Sequence, residues 1–293
     1  MKKIITVLFL LAIASTVAFG MIVSKPTKFD KDGYFTEVTF YQDGTTVIAT
    51  QSYDAKSKKM ITKGRIPDGP VQFLNEKGIL AELCKYKNNH LNGEFTQYYT
   101  AFAAPIKMRA GTYKNDKWDG LIKDFDKDGN LVTERQFKDD MLNGRMVRYY
   151  PDGKIFGKFN YKNDKADGPT QMFYGNGNVW ISNNFRNGRS EGDEMVYWEN
   201  GTLACKISWK GGKRKSGVSP DAPIVMIATN ESTGVAKEYE VLFLLYGRQN
   251  VDWQSSQKLL KHKNRDFDEM EITLKNGKTE TVFFDITSFF GKF

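Results

Sequence analysis

The side chains that most readily do chemistry are few in this chain and lie far apart in sequence. The 293 residues include two histidines, His90 and His262, and two cysteines, Cys84 and Cys205. A histidine metal site favours a short spacing such as His-x-x-x-His, and a nucleophilic cysteine needs a neighbouring base. Neither arrangement occurs, so the histidines are predicted to be solvent-facing polar residues. The cysteines are predicted to be free, buried thiols, because the five repeat periods between them correspond to about 50 Å along a sheet, too far for a disulfide.

Acidic residues and glycines also fail to indicate a catalytic centre. The acids Asp139, Asp140, Glu191 and Asp193 fall at turn positions, where such residues form turns. No Gly-x-x-x-x-Gly-Lys phosphate loop occurs. The sequence therefore predicts a non-enzymatic protein with no catalytic residue, no cofactor and no metal ligand. A hydrolase sited in residues 218–293 stays as an alternative, and it requires a pocket there with a perturbed acid or nucleophile.

A glycine recurs along the middle of the chain at intervals of 24, 27, 24, 24 and 24 residues. A second glycine follows most of these anchors nine residues later, as at Gly129 and Gly153. A fixed period of this length is typical of repeat proteins, in which one period is one structural unit. The anchor glycines, which we expect in equivalent turns, are Gly69, Gly93, Gly120, Gly144, Gly168 and Gly192.

Each period also contains an aromatic residue that is followed by a cation and usually by Asn or Asp. Aromatic runs that alternate with Asp-Gly or Asn-Gly turns predict one β-hairpin per period. One hairpin cannot bury its apolar face alone, so successive hairpins are expected to pair into an elongated antiparallel sheet. Equal register then places the aromatics in one row on one face: Tyr86, Tyr113, Phe137, Tyr161, Phe185 and Trp209.

This pattern resembles the MORN family, and specifically its bacterial variant repeats. The resemblance is carried best by residues 142–155, LNGRMVRYYPDGKI, and it extends over six copies within residues 66–217. The second copy departs from the pattern because residues 101–105, AFAAP, replace its turn glycine. The resemblance implies a scaffold that contacts proteins or membranes, and bacterial members are often labelled antitoxin components, which fits poorly with export.

The two ends of the chain differ from the repeats. Residues 1–20 contain two lysines, an apolar core and small residues, and they predict a cleaved signal peptide, with a membrane anchor as the alternative. Residues 28–65 are read as a degenerate repeat or cap. After a Pro-containing linker, residues 218–293 are predicted to form a small α+β domain of order ββαββ. In this domain, residues 224–228 and 241–246 are the first strands, 253–262 the helix, and 270–284 a hairpin.

Charge leaves several partners open. The formal net charge is +8, and the densest cationic cluster is Lys210, Lys213, Arg214 and Lys215. That cluster is interpreted first as a solvated cap at the sheet edge and second as a contact for an anionic surface. Nucleic acid is disfavoured because the chain is predicted to be exported. We therefore expect a protein-binding scaffold of the cell envelope, with an anionic membrane or glycan surface binder as the alternative.

Overall fold

The computed structural model describes residues 22–29, 35–54, 56–57, 59–102 and 104–292. It divides into two compact units, residues 1–153 and residues 154–293, and each is described by itself. The predicted signal peptide, residues 1–20, lies outside the described residues. The fold is mainly β, as the sequence predicts, with a small α+β portion near the carboxyl terminus.

The first unit is a sheet of hairpins. Its main strands lie in the order β4, β3, β2, β1, β5, β6, β8, β9, β11, β12 and β13, with β7 and β10 as two-residue pieces at hairpin ends. Among the described residues of this unit, all strand pairs are antiparallel except β1 with β5. The strands are β1 (Ile22–Phe29), β2 (Phe35–Gln42), β3 (Thr46–Asp54), β4 (Lys59–Gly64), β5 (Gly69–Leu74), β6 (Leu80–Lys87), β7 (His90–Leu91), β8 (Gly93–Tyr99), β9 (Ile106–Lys114), β10 (Lys117–Trp118), β11 (Gly120–Phe125), β12 (Leu131–Lys138) and β13 (Met141–Tyr149).

The second unit contains the later repeats and the α+β portion. One sheet has the order β14, β16, β17, β19, β20, and a second sheet has the order β22, β25, β24, β23. Its elements are β14 (Ile155–Lys162), β15 (Lys165–Ala166), β16 (Gly168–Phe173), β17 (Val179–Arg186), β18 (Arg189–Ser190), β19 (Gly192–Tyr197), β20 (Leu203–Lys210), β21 (Lys213–Arg214), β22 (Ile224–Val225), α1 (Glu231–Tyr246), β23 (Trp253–His262), β24 (Arg265–Leu274) and β25 (Thr279–Asp285).

The anchor glycines occupy equivalent positions, but these positions are strand starts rather than turns. Five of them begin a strand and Gly144 lies within β13. All six have φ between 84° and 133°, a backbone conformation that residues other than glycine rarely adopt. In four repeats the residue before the anchor lies between two strands and its N–H still bonds to the neighbouring strand; for example, the Asp119 N–H donates to the carbonyl of Thr112 at 3.1 Å. The glycine period therefore marks a recurring irregularity that starts each hairpin.

The tight turns lie at the two residues that follow each aromatic and its cation, which are Asn or Asp in most repeats and Gly211-Gly212 in the last. Both central residues have positive φ in pairs such as Asn115-Asp116 and Asp139-Asp140, which defines a two-residue turn that continues the strand twist. The Asp-Gly and Asn-Gly sequences form a different, longer turn. There the Gly129 N–H donates to the Asp126 carbonyl, and only the glycine has positive φ. The sequence thus predicted both hairpin ends but assigned the tight turn to the wrong one.

Side chains of the tight turns join successive repeats. The second turn residue accepts a backbone N–H from the preceding repeat, as Asp116 does from Leu91 and Asp140 does from Trp118, both at 2.7 Å. The polar residue before the anchor glycine accepts from the next turn, as Asp68 does from the Asn88 N–H. These bonds explain why Asn and Asp recur at fixed places, since their short side chains satisfy backbone donors at the sheet margin.

The carboxyl-terminal order predicted from sequence is wrong in two elements. Residues 241–246 belong to helix α1, and residues 253–262 form strand β23, so the order is βαβββ. The Asn230 side chain caps the helix by accepting from the Thr233 N–H. Strand β23 pairs along its whole length with β24 through a turn at Lys263-Asn264, where both residues have positive φ. The predicted hairpin of β24 and β25 is present, with Gly277 in its turn.

Each unit has its own apolar core. In the first unit the N-terminal strands contribute Phe40, whose ring lies edge-on to Phe73 and Tyr86 at centroid distances of 5.9 and 5.5 Å. In the second unit helix α1 covers the second sheet and the last repeat strands, and the core includes Cys205, Ile207, Met226, Leu242, Trp253, Met270, Phe284 and Phe289. The repeat residues that do not belong to either core are the ones that remain accessible to solvent.

Candidate functional site

The predicted aromatic row is divided between core and surface. In the first unit, Tyr86 and Phe137 are buried and Tyr113 is half-buried. The Tyr86 hydroxyl donates to the side chain of Gln51, which ties it to the N-terminal strands. In the second unit, Tyr161, Phe185 and Trp209 are all half-buried. The structure therefore uses the first residues of the row for packing and leaves the later ones partly accessible.

Aromatic residues outside the predicted row complete the packing in the first unit. Phe95 lies 4.4 Å from Tyr113 and 6.3 Å from Trp118 by ring centroids, and Trp118 lies 5.2 Å from Phe137. Sequence reasoning missed Phe95 and Trp118 as members of this cluster. Their signal was present, because they lie two residues after and two residues before an anchor glycine, and these positions alternate onto the face of the row.

The position opposite each aromatic changes character between the two units. The short strand at each hairpin end pairs one residue with each aromatic. In the first unit these residues are large and apolar, and in the second they are small or polar: Leu91, Trp118 and Leu142, then Ala166, Ser190 and Arg214. The aromatic face is consequently filled by neighbours in the first unit and opened in the second.

A cavity of about 310 Å³ lies at that opened part of the second unit. Its polar lining residues are Thr170, Asn183 and Glu194, all nearly buried. The Asn183 amide donates to Glu194 Oε2 at 2.6 Å. Burial raises the pKa of the Glu194 carboxyl to about 7, and the neighbouring indole N–H of Trp209 opposes that shift. The apolar lining residues are Phe159, Tyr161, Ala166, Met172, Ile181, Phe185 and Leu244.

Cations face one another across the short strands of the second unit. Lys162 pairs with Lys165, Arg186 with Arg189, and Lys210 with Lys213. All six side chains are exposed, and no ion pair to any of them occurs among the described residues. Like charges directly opposite each other destabilise a sheet, so the three successive pairs lower the stability of the folded protein. No structural role explains their presence. In the first unit only one of the equivalent pairs, Lys114 with Lys117, has two lysines.

The predicted cationic cap is only partly solvated. Lys210, Lys213 and Lys215 are exposed, whereas Arg214 turns toward the protein. Its guanidinium donates to the carbonyls of Ser216 and Gly217 and to the Tyr246 hydroxyl. Arg214 therefore joins the last repeat to helix α1, and its three lysine neighbours remain accessible to an anionic partner.

Helix α1 carries two buried charged residues with different surroundings. The Lys237 ammonium pairs with Glu240 at 2.5 Å and lies 4.5 Å from the centroid of the Trp198 ring. The Glu238 carboxyl is fully buried and accepts no hydrogen bond from the described residues. Burial and the nearby Asp268 carboxylate raise the pKa of Glu238 to about 9. Lys237 thus docks the helix, whereas Glu238 is held as a neutral acid.

The pair Glu238 and Asp268 meets part of the condition for the hydrolase alternative. Asp268 lines a cavity of about 330 Å³ together with Gln257 and Phe289. The Glu238 side chain has no exposed area and cannot touch a substrate in this conformation. The cavity is therefore lined by two carboxyl groups, those of Asp268 and Glu231, and no cysteine, serine or threonine lines it among the described residues. The Glu231 carboxylate accepts the Gly291 N–H.

The other chemically competent side chains are occupied or protected. Both cysteines are free and buried, and burial raises the pKa of each thiol, that of Cys205 to about 12. His90 pairs with Asp116, and His262 lies 3.1 Å from Asp221. No cluster of three or more His, Cys, Asp or Glu residues suited to a metal occurs in the described part of the chain.

Two adjacent repeats match a known family. Residues 118–139 and 142–163 match the family model of the MORN repeat variant, which confirms the resemblance for these two repeats. Such repeats are typical of non-enzymatic binding modules. No curated protein matches the chain. Within the described residues, no helix has both the length and the apolar character needed to cross a bilayer.

Proposed function

We propose that this protein is an exported, repeat-based binding module that attaches to an anionic membrane surface through its paired cations. The observation that carries the proposal is the three like-charge pairs at equivalent positions of successive repeats in the second unit. The turns that hold the pairs are joined by backbone hydrogen bonds, Gly188 to Ala166 and Gly212 to Ser190. The six cations therefore form one continuous stripe, here called the cationic stripe.

The expected strength of attachment follows from charge. A lysine or arginine near an anionic leaflet contributes about 1 kcal/mol, and the attraction falls off within a Debye length. Six exposed cations are enough for stable attachment at low salt without any apolar insertion. An anionic surface would also remove the repulsion between the members of each pair. The cationic stripe therefore destabilises the free protein, and binding to an anionic surface removes that destabilisation.

A triple variant tests the cationic stripe. Lys165→Gln, Arg189→Gln and Lys213→Gln together remove one charge from each pair while keeping a polar side chain at each position. We expect affinity for phosphatidylserine-containing vesicles to fall about 100-fold at low salt, since three charges are lost at about 1 kcal/mol each. The stability of the variant should be equal to or slightly above that of the parent, because the like-charge pairs are removed. Vesicle co-sedimentation and urea unfolding give the two readouts.

The matched control removes three exposed cations from the second sheet, with Lys258→Gln, Lys261→Gln and Lys275→Gln. Net charge changes equally in both variants, so only the stripe variant should lose vesicle affinity. Equal losses in the two variants would contradict a localised site. Binding to a soluble anionic polysaccharide such as heparin, with no binding to anionic vesicles at any salt concentration, would overturn the membrane proposal in favour of a glycan.

A protein partner is the second candidate, and a feature of the first unit favours it. Strand β4 pairs only with β3 among the described residues, so its outer edge is available for a further strand. Tyr53 and Met60 face each other on this hairpin and are 58% and 51% exposed. An exposed apolar pair beside a free strand edge is suited to strand addition by a partner.

This second candidate is tested by cross-linking in the native host. A photo-reactive residue at position 53 should form a discrete protein adduct, whereas one at position 251, another exposed apolar position, should not. Met60→Lys should abolish the adduct, because a charge on the edge opposes strand addition. Identical adduct patterns from the two positions would rule out β4 as a specific contact.

A further inference from the structure

The cavity beside the later aromatics is built as a ligand site. Its volume of about 310 Å³ lies at the lower end of the range for small-molecule pockets. It is bounded by repeat strands β14, β15, β16 and β17, by Glu194 of β19 and by Leu244 of helix α1. It is separate from the cationic stripe, whose side chains do not line it. A molecule held here would contact two predicted row residues, Tyr161 and Phe185.

Three aromatic rings define the chemistry of the walls. Phe159, Tyr161 and Phe185 line the cavity, and each residue is half-buried. The face of an aromatic ring carries negative electrostatic potential and attracts a cation within about 6 Å of its centroid. Several rings around one space are typical of sites for methylated ammonium groups, which are large, weakly hydrated cations.

A carboxyl group completes the site. Glu194 lines the cavity and accepts one hydrogen bond, from Asn183 to Oε2. The indole N–H of Trp209 neighbours this carboxyl group and favours its ionised form, and no ion pair to Glu194 occurs among the described residues. A buried carboxylate is stable when a cation lies beside it. Lys237 of helix α1 does not serve this purpose, because it is paired with Glu240.

Several residues that line the cavity occupy positions that hold apolar core residues in the earlier repeats. Two residues after the anchor glycine, the first three repeats carry Val71, Phe95 and Ile122, all buried. At the same position the last two repeats carry Thr170 and Glu194. The residue opposite the aromatic changes from Leu91 and Leu142 to Ala166. Polar residues at inward positions cost stability unless they have partners, so their concentration around one cavity indicates a function.

We propose that this cavity binds a small organic ammonium ion, with its methylated nitrogen among Phe159, Tyr161 and Phe185 and its charge balanced by Glu194. The rings supply attraction for the cation and exclude water, and the carboxylate distinguishes the cation from an uncharged molecule of the same shape. Ala166 provides the room that leucine fills in other repeats.

Calorimetry with choline tests the proposal, with dimethylbutanol as the uncharged molecule of the same shape. Choline should bind to the full-length protein with one site, and dimethylbutanol should bind about tenfold or more weakly, the usual effect of losing a charged contact. No binding of choline at concentrations up to about 100 mM, which corresponds to a free energy weaker than about −1.4 kcal/mol, would overturn the proposal. Equal affinities for the two probes would also overturn it.

Two variants locate the site. Glu194→Gln keeps the size of the side chain and should weaken choline binding about tenfold while leaving dimethylbutanol binding unchanged. Ala166→Leu restores the residue of the other repeats and should abolish binding of both probes by filling the cavity. Because leucine occupies the equivalent position in two other repeats, the urea unfolding midpoint of Ala166→Leu should match that of the parent protein. Unchanged choline affinity in both variants would place any binding elsewhere and refute this site.

A final comparison distinguishes a soluble ligand from a lipid headgroup. Vesicles of pure phosphatidylcholine carry the same ammonium group without net charge, so the cationic stripe does not hold them. Retention on these vesicles that is lost in Ala166→Leu would assign the headgroup as the source. Binding of free choline without vesicle retention would assign a soluble cation, and the triple variant of the stripe should leave either result unchanged.

Discussion

Replacing Phe40 by alanine is expected to lower the free energy of unfolding by about 4 kcal/mol. The Phe40 side chain has 0% exposure, and its ring packs edge-on to Phe73 and Tyr86. These neighbours cannot easily close the resulting cavity, because the Tyr86 hydroxyl is held by the buried Gln51 side chain. Truncation therefore removes both the buried ring and the contacts around it, which is the situation in which large-to-small substitutions cost most.

Urea unfolding followed by circular dichroism measures this change, and hydrogen exchange of peptides from β5 and β6 shows where protection is lost. Tyr53→Ala is the control in the same unit, since Tyr53 is 58% exposed and should change stability by less than about 0.5 kcal/mol. A cost for Phe40→Ala as small as that of the control would mean that the N-terminal strands do not contribute to this core.

The stability expected from Phe40 also shows what a periodic sequence does and does not predict. The repeat pattern predicted antiparallel hairpins and the equivalent placement of Gly120, Gly168 and the other anchors, because positive φ and period-two alternation leave local signals. The N-terminal strands lack that period. The parallel pairing of β1 with β5 depends on contacts distant in sequence, such as Val23 with Gln72, which no local pattern specifies.

Local signals were also ambiguous in the carboxyl-terminal part. Residues 241–246 are apolar and continuous, which fits a buried strand or the buried side of a helix. The helix was decided by features earlier in the chain, namely the Asn230 cap and buried residues at Gly234, Glu238 and Val241, spaced by about one helical turn. Strand β23 carries no β-branched residue, and its conformation is fixed by pairing with β24 along ten residues.

The cavity of the second unit could have been found from sequence by comparing repeats position by position. Glu194 aligns with Val71 and Phe95 of earlier repeats, and an acid at an inward position is a clear departure from the pattern. From sequence, the acids of this region were assigned to turns, and Glu194 was not recognised as an inward-facing acid. Its neighbour Asp193 does lie on the exposed face. Leu244 of helix α1 also lines the cavity, and no repeat pattern in the sequence predicts that contact.

Replacing Glu238 by glutamine is expected to stabilise the protein at alkaline pH by roughly 3 kcal/mol. In the parent, burial and the Asp268 carboxylate raise the pKa of the Glu238 carboxyl from 4.5 to about 9. Below pH 4.5 the group is protonated in both folded and unfolded chains and has no effect on stability. As the pH rises from 4.5 toward 9, the unfolded chain ionises while the folded chain keeps its proton, so stability falls across this window.

At 1.36 kcal/mol per pH unit the full window corresponds to at most about 6 kcal/mol, and pH 8 lies well within it. Glutamine does not titrate, so the variant avoids this loss while keeping the size of the side chain. Urea unfolding of parent and variant should therefore give similar midpoints near pH 4.5 and a higher midpoint for Glu238→Gln at pH 8. The control Glu240→Gln breaks the pair with Lys237 and should destabilise the protein at both pH values. Parallel pH dependence in parent and Glu238→Gln would show that this carboxyl ionises normally, and the buried acid would then have to be solvated in a conformation that opens helix α1.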